Sequence, residues 1–419
     1  MRLHLISYRT RRRGEMLKKC REDFPTLHGD HAPAYLDNAC VTLKPQSVID
    51  AIHAYYTQSP GCGGRSVHRY GTTVSKSVAD ARKKVGEFLN VADTNEVVFT
   101  RNATHSINQI AHGMSWEKGD VVLTTDREHN SNLVPWLQLE QEQGIDHRVV
   151  RSNEDNSFNM EAFEQACQEA NGRLKMVAMS HVGNLDGVEI PIAEVTKIAH
   201  DFGALVAVDG AQSTPHMTVD VQALDIDFLS FSIHKMCGPS GMGGLWGRYD
   251  LLDNLRTIQS GGQTVTRSTY DQATWAAPPA RFEGGLGNFS GMMATGAAID
   301  YLSELNMNDV HEHEIALNRI MTNGVKDLHG LNIIGPEDPN QRGGICSILM
   351  DDLPAHDVAL LLDEAEGVMV RSGQHCVHSW FADRNHPQGS LRASAYLYNT
   401  EEDVRRFVDT LTEIVHTLG

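Results

Sequence analysis

The sequence has no long apolar run, no paired-cysteine motif and little positive charge, and each lack closes off a class of function. No stretch approaches the ~18–20 apolar residues of a membrane-spanning helix, so no membrane partner is expected. Lys and Arg number 36 against 54 Asp and Glu, a formal charge of −18. A nucleic-acid surface needs a basic stripe, so nucleic acid is not an expected partner either. The seven cysteines, at 20, 40, 62, 167, 237, 346 and 376, are widely spaced and form no Cys-x-x-Cys. That usage fits neither a disulfide framework nor a thiolate zinc site, and no bound metal is expected. A reducing cytoplasm is the compartment it suits. Internal repeats and low-complexity segments are also missing.

What is present belongs to a globular chain with a sizeable core. Of 419 residues, 41% are hydrophobic and 21% charged, a length that suits two or three domains of roughly 100–200 residues each. The charge is uneven: residues 1–20 hold seven Lys or Arg and one acidic residue, Glu15. This basic arm reads as a frayed extension, with Met16 as the working initiator, in preference to a targeting peptide.

Element types alternate along the chain. EVVFT at 96–100, DVVLT at 120–124 and KMVAMS at 175–180 read as strands, as do LVAV at 205–208, FLSF at 228–231 and GGLW at 243–246. Helical spacing appears at 47–56, 77–89, 192–202 and 290–304. The fold class is therefore α/β, a mostly parallel sheet covered on both faces. A second unit follows, with helical 310–328, a strand at 345–350 and helices at 355–366 and 400–417. The expected organisation is a flexible extension over 1–29, a large domain over 30–300 and a small α+β domain over 301–419.

Ligands of open parallel sheets bind beyond the carboxyl ends of the strands. The segments there are Arg101-Asn102-Ala103-Thr104, Glu128-His129-Asn130-Ser131, His181-Val182-Gly183-Asn184, Asp209-Gly210-Ala211-Gln212 and Ser232-Ile233-His234-Lys235. Taken singly, each is better explained as a helix cap or a satisfied structural residue. Together they describe a polar pocket with an anion cradle, an imidazole, a carboxylate and a lysine. A pyridoxal phosphate site requires those groups: a lysine for the Schiff base, a carboxylate for the pyridine nitrogen, and hydroxyls with backbone amides for the phosphate. The glycines at 238, 241, 243 and 244 lack a following Lys-Ser/Thr and read as a turn, not a P-loop.

In order and spacing these segments resemble the class V aminotransferase family of pyridoxal phosphate enzymes, a family of fold type I. Within it they are most similar to cysteine desulfurases of the SUF type, close to selenocysteine lyases. The resemblance runs from about Ala34 to Thr412 and rests on EHNSNLVPW at 128–136, VDGAQ at 208–212, FSIHK at 231–235, RSGQHC at 371–376 and LRAS at 391–394.

The resemblance implies a role for each matching residue. Lys235 carries the cofactor, Asp209 pairs with its pyridine nitrogen and His129 stacks on its ring. Gln212 meets the phenolic oxygen, and Asn184 helps to hold cofactor and substrate. Ala103, Thr104, Ser232 and His234 form the phosphate cradle, and Thr264 adds a hydroxyl across a dimer interface. Arg392 binds the substrate carboxylate, a bidentate task suited to guanidinium, with Arg371, Arg65 and His68 in the substrate pocket. Cys376 is the nucleophile that takes sulfur from L-cysteine as a persulfide, and alanine leaves. A thiol acceptor protein, as in iron–sulfur cluster assembly, then receives the sulfur, and the enzyme is a homodimer. Other readings stay open: a selenocysteine lyase, another class V lyase or aminotransferase, a non-catalytic sulfur carrier, or a metal site at His375, Cys376 and His378. Three features depart from the family, one of them the bulky His378-Ser379-Trp380-Phe381 that follows Cys376 and bears on how an acceptor approaches. Arg281-Phe282-Glu283 is followed by Gly284-Gly285-Leu286-Gly287 without the usual threonine, and Cys40 stands where small residues are usual. Its segment is one that lines the family's pocket, so Cys40 has two readings, a second thiol near the substrate or a packing residue, and packing is preferred.

Overall fold

The computed structural model describes residue 17, residues 19–29 and residues 31–418. Most of the basic arm, with Met16, lies outside the described residues. The centre is a seven-stranded sheet of β1 (Val97–Thr100), β2 (Val121–Thr125), β3 (Asp146–Val150), β4 (Leu174–Ser180), β5 (Leu205–Asp209), β6 (Phe228–Ser232) and β7 (Gly243–Gly247). Their order is β1-β7-β6-β5-β4-β2-β3, and β7 alone runs antiparallel. β2, β6 and β7 are buried at every position, because apolar layers cover both faces of the sheet.

Sequence reading missed β3. Its DHRVV pattern is mostly polar and half-exposed, because an edge strand has a neighbour on one side only. The helix Asn130–Gln143 was also not anticipated, since it carries Pro135 inside and has no clear apolar stripe. It ends where Gly144 takes a left-handed conformation, φ 72°.

A second sheet is wholly antiparallel: β8 (Leu331–Ile333), β9 (Ile345–Met350), β10 (Arg371–Gly373) and β11 (Ser390–Ser394), in the order β8-β9-β11-β10. It packs with helices Met307–Val325, Ala355–Glu366 and Glu401–Leu418 around its own apolar cluster.

Two expectations about organisation are corrected. Residues 20–29 are not a loose extension: Phe24 is fully buried, and Cys20 and Leu27 join the main core. Phe24 packs its ring 4.5 Å from Tyr398 and 5.8 Å from Tyr301, centroid to centroid, and Arg21 pairs with buried Asp403 at 2.9 Å. The expected start of the large domain at residue 30 also does not hold. Ala34–Tyr35 pairs in parallel with Val368–Met369, and Ala34 and Leu36 are buried in the C-terminal cluster. A short apolar strand finds its pairing edge wherever one is free, and sequence distance does not restrict that choice.

Candidate active site

A cavity of about 220 Å³ opens at the carboxyl ends of β1, β2, β4, β5 and β6 and is closed from the other side by the Cys376 turn and β11. Five chain segments expected to meet there do so. Ala103 and Thr104 begin the helix Ala103–Gly113, whose cap is Asn102, its side chain accepting from the His105 amide at 2.9 Å. The Ala103 amide donates to Ser232 Oγ at 2.9 Å, tying this helix to the end of β6. A Cβ on Gly243 would come 2.5 Å from Asn102 Cα, so glycine is what lets β7 pass the helix start.

His129 caps the helix Asn130–Gln143, and its Nδ1 accepts from the Ser131 amide at 3.0 Å. A ring that accepts at Nδ1 is neutral and carries its proton on Nε2. Burial, reinforced by the charges of Lys235, Arg392 and Arg371, lowers its pKa to about 3, which keeps it so. Behind it, Glu128 accepts from Thr125 Oγ1 at 2.6 Å, Asn132 Nδ2 at 2.8 Å and the Ser180 amide at 3.1 Å. This carboxyl joins the ends of β2 and β4.

Asp209 ends β5, is 6% exposed and takes only the Ala211 amide on Oδ1, at 3.0 Å. Burial raises its pKa. Gln212 donates to the Ala39 carbonyl at 2.8 Å while its buried Oε1 has no partner. Lys235 lies one short turn beyond β6, and burial lowers its pKa to about 8, against the opposing pull of Asp209. Arg392, 2% exposed, donates Nη1 to the Asn184 carbonyl at 2.8 Å and Nη2 to Asp37 Oδ1 at 3.4 Å, and its Nε is unpaired.

Cys376 sits on a strained turn, with φ 48° at His375 and 60° at Cys376. Three bonds hold that turn: Asn184 Nδ2 to the His375 carbonyl at 2.8 Å, the Asn130 amide to the Cys376 carbonyl at 2.7 Å, and the Val377 amide to the Gln374 carbonyl at 2.7 Å. His375 bonds Ser390 Oγ at 2.9 Å and His378 bonds Asn130 at 2.6 Å. Each histidine thus engages one ring nitrogen with a protein partner, while His375 Nδ1 has none. Among the described residues no group of three or more His, Cys, Asp or Glu is placed to hold a metal ion.

The cavity also takes in His234 and Arg371, but three expected residues stand outside it within this chain. Arg65 is exposed and lines a separate broad cleft of about 840 Å³. His68 spends its Nδ1 on the Gly71 amide as a helix cap. Thr264 Oγ1 is buried in a turn, bonded to the Gly261 amide and carbonyl. Conversely, Cys40, Asn102, Ser131 and His375 line the cavity without having been assigned to it. His375 was legible as the neighbour of Cys376, and Ser131 lay inside a quoted motif. Cys40 was legible as an unusual residue in a pocket segment of the family, although packing was the preferred reading.

The fit to pyridoxal phosphate can be judged from the unsatisfied groups. A buried carboxylate without an ion pair, an amide oxygen without a donor and a lysine without a hydrogen bond all face one cavity beside a helix start. Such groups are costly to bury unless a ligand completes them, and they are the groups that cofactor needs.

The architecture is that of a fold type I pyridoxal phosphate enzyme. Residues 34–407 match the aminotransferase class-V family model, and the chain belongs to that family. It is 35% identical to a probable cysteine desulfurase of Streptomyces coelicolor, over 95% of this chain and 97% of that one. It is likewise 35% identical to a cysteine desulfurase of Haloferax volcanii, over 93% and 95% of the two chains. Among solved structures, the apo cysteine desulfurase of Thermococcus onnurineus superposes with a TM-score of 0.90 at 32% identity, covering 96% of this chain and 98% of that one. A cysteine desulfurase of Escherichia coli, crystallised as its S-sulfonic acid form, gives 0.88 at 30%, covering 96% and 99%.

Proposed function

We propose that this protein is a pyridoxal phosphate-dependent cysteine desulfurase that converts L-cysteine to L-alanine and holds the released sulfur as a persulfide on Cys376. One observation carries the reading: Asp209 and Lys235 from the large sheet, and Cys376 and Arg392 from the C-terminal part of the chain, line a single cavity. The cysteine desulfurase relatives support it over nearly the whole chain.

When bound, the cofactor supplies an electron sink for negative charge at the substrate α-carbon. Lys235 would anchor it, Asp209 would pair with its pyridine nitrogen, and His129 would stack on its ring as a neutral imidazole. Gln212 and Asn184 would complete its polar edge; Ala103, Thr104, Ser232 and His234 would take the phosphate. Arg392 receives the substrate carboxylate, with Arg371 beside it. Lys235 Nζ, as a neutral amine, would remove the proton from Cα. Cys376 Sγ then bonds to the substrate sulfur as the Cβ–S bond breaks. The electron pair left on Cβ takes a proton, and the three-carbon product leaves as alanine. A thiol acceptor collects the sulfur.

No helix among the described residues is long and apolar enough to cross a membrane. All seven cysteines are free thiols, which supports a cytoplasmic setting. A homodimer is the second part of the proposal. The broad cleft that holds Arg65 is open, and Tyr270, Trp275 and Leu286 are exposed nearby in the chain, as a surface awaiting a second copy would be. Arg65, His68 and Thr264 are proposed to serve the site from that interface.

The test is a spectrum and a product assay on purified protein supplied with pyridoxal phosphate. A lysine-linked cofactor band and alanine from cysteine are expected, and the Cys376→Ala protein should keep the band and lose the alanine. An unchanged rate in that variant, or no cofactor band in either protein, overturns the reading.

A further inference from the structure

The seven cysteines divide by environment. Cys20, Cys167 and Cys237 are core residues of the main apolar cluster, Cys62 packs against it, and Cys346 is buried in the C-terminal cluster. Cys40 and Cys376 alone belong to no apolar cluster; both are half-buried and both line the active cavity. Packing therefore accounts for five of the thiols and not for these two.

Cys40 is held by a cation. Arg371 Nη1 stands 2.7 Å from its Sγ, and guanidinium only donates, so the sulfur is the acceptor. An electropositive, partly exposed pocket is the setting in which cysteines react. Cys40 and Cys376 line the same cavity as Lys235. The segment before Cys40 is tied to the site as well, through Asp37 to Arg392 and through the Ala39 carbonyl to Gln212. The unpaired Arg392 Nε and Gln212 Oε1 belong to side chains lining the same cavity, so Cys40 lines the space proposed above for cofactor and substrate.

We propose that Cys40 is a second sulfur-carrying thiol of this active site, receiving the persulfide sulfur from Cys376. The inference rests on the desulfurase reading above. In the step, Cys40 Sγ attacks the outer sulfur of the Cys376 persulfide. A bond forms between Cys40 Sγ and that sulfur, and the bond from that sulfur to Cys376 Sγ breaks. The electron pair stays on Cys376 Sγ, which takes up the proton that Cys40 gave, so no oxidant or reductant is consumed. Arg371 holds Cys40 Sγ throughout, and Cys376 is free for another cysteine while Cys40 holds the first sulfur.

The experiment uses holoenzyme given L-cysteine without an acceptor, quenched with an alkylating agent and analysed by peptide mass spectrometry. In the native protein, both the Cys40 and the Cys376 peptides should gain a sulfur. Cys40→Ala and Cys40→Ser should label only Cys376, and Cys376→Ala should label neither. The alanine burst of the native protein should be about twice that of either Cys40 variant, as expected for a ping-pong enzyme with a second acceptor. A labelled Cys376 with an unlabelled Cys40 overturns the relay alone. A Cys40 peptide labelled in the Cys376→Ala protein overturns it too, by making Cys40 an independent acceptor. Label on neither peptide of the native protein removes the desulfurase reading and the relay with it.

Discussion

Asn184 donates from Nδ2 to the carbonyl of His375 at 2.8 Å, and this bond ties the loop after β4 to the turn that carries Cys376. Its own carbonyl accepts from Arg392 at 2.8 Å, so one residue sets the Cys376 turn and the Arg392 guanidinium, the proposed nucleophile and the proposed carboxylate binder, in register. Asn184→Ala removes the first bond and leaves a buried carbonyl unpaired, a cost of ~1–3 kcal/mol. Amide exchange at 374–377 should quicken. A misplaced nucleophile should lower kcat for alanine formation roughly 10²-fold, with the cofactor still bound.

Arg392→Lys keeps the charge but loses the planar fork. Because hydrogen bonds to charged groups contribute ~1.5–3 kcal/mol, KM for cysteine should rise by roughly one to two orders of magnitude. Steady-state kinetics at saturating cofactor reads this directly.

Burial lowers the Lys235 pKa to about 8. Only the neutral amine attacks an aldehyde. Uptake of pyridoxal phosphate by cofactor-free protein should therefore accelerate as pH rises to about 8 and level off above it. Lys235→Ala should show no lysine-linked band at any pH.

Glu128 gives a stability prediction of the opposite slope. Burial raises its pKa from 4.5 to about 7, with Thr125, Asn132 and the Ser180 amide opposing. Between those values the folded chain holds a proton that the unfolded chain releases, so its contribution to stability is full below pH 4.5 and is lost through about 7. In Glu128→Gln that part of the fall in Tm across the window should vanish, measured as the difference from the native protein at each pH.

Phe24 tests the placement of the N-terminal segment. It is fully buried between Tyr301 and Tyr398, and Phe24→Ala should cost ~3–5 kcal/mol in denaturant unfolding. A loose extension would show no change.

Much of the fold was legible because the strands beneath the site are short and apolar, several of them β-branched, and are bounded by turn or polar residues. β1, β2 and β4 to β7 followed from that pattern. β3 and the Pro135 helix did not, since an edge strand and a helix docked at a sheet end carry mixed polarity. Lys235, Asp209, His129 and Cys376 were visible as motif residues, because chemistry restricts which side chains stand at those strand ends.

The amino-acid order by itself determined the alternation of elements, the polar strand ends and the candidate nucleophile, all of which are local properties. Tertiary structure alone decided the rest. It carried Ala34 and Leu36 to the C-terminal cluster, buried Phe24, left Arg65, His68 and Thr264 outside the cavity, and set Cys40 against Arg371 across 331 positions of chain. Such pairings depend on which surfaces remain unburied once the sheets have formed, and sequence spacing does not encode that.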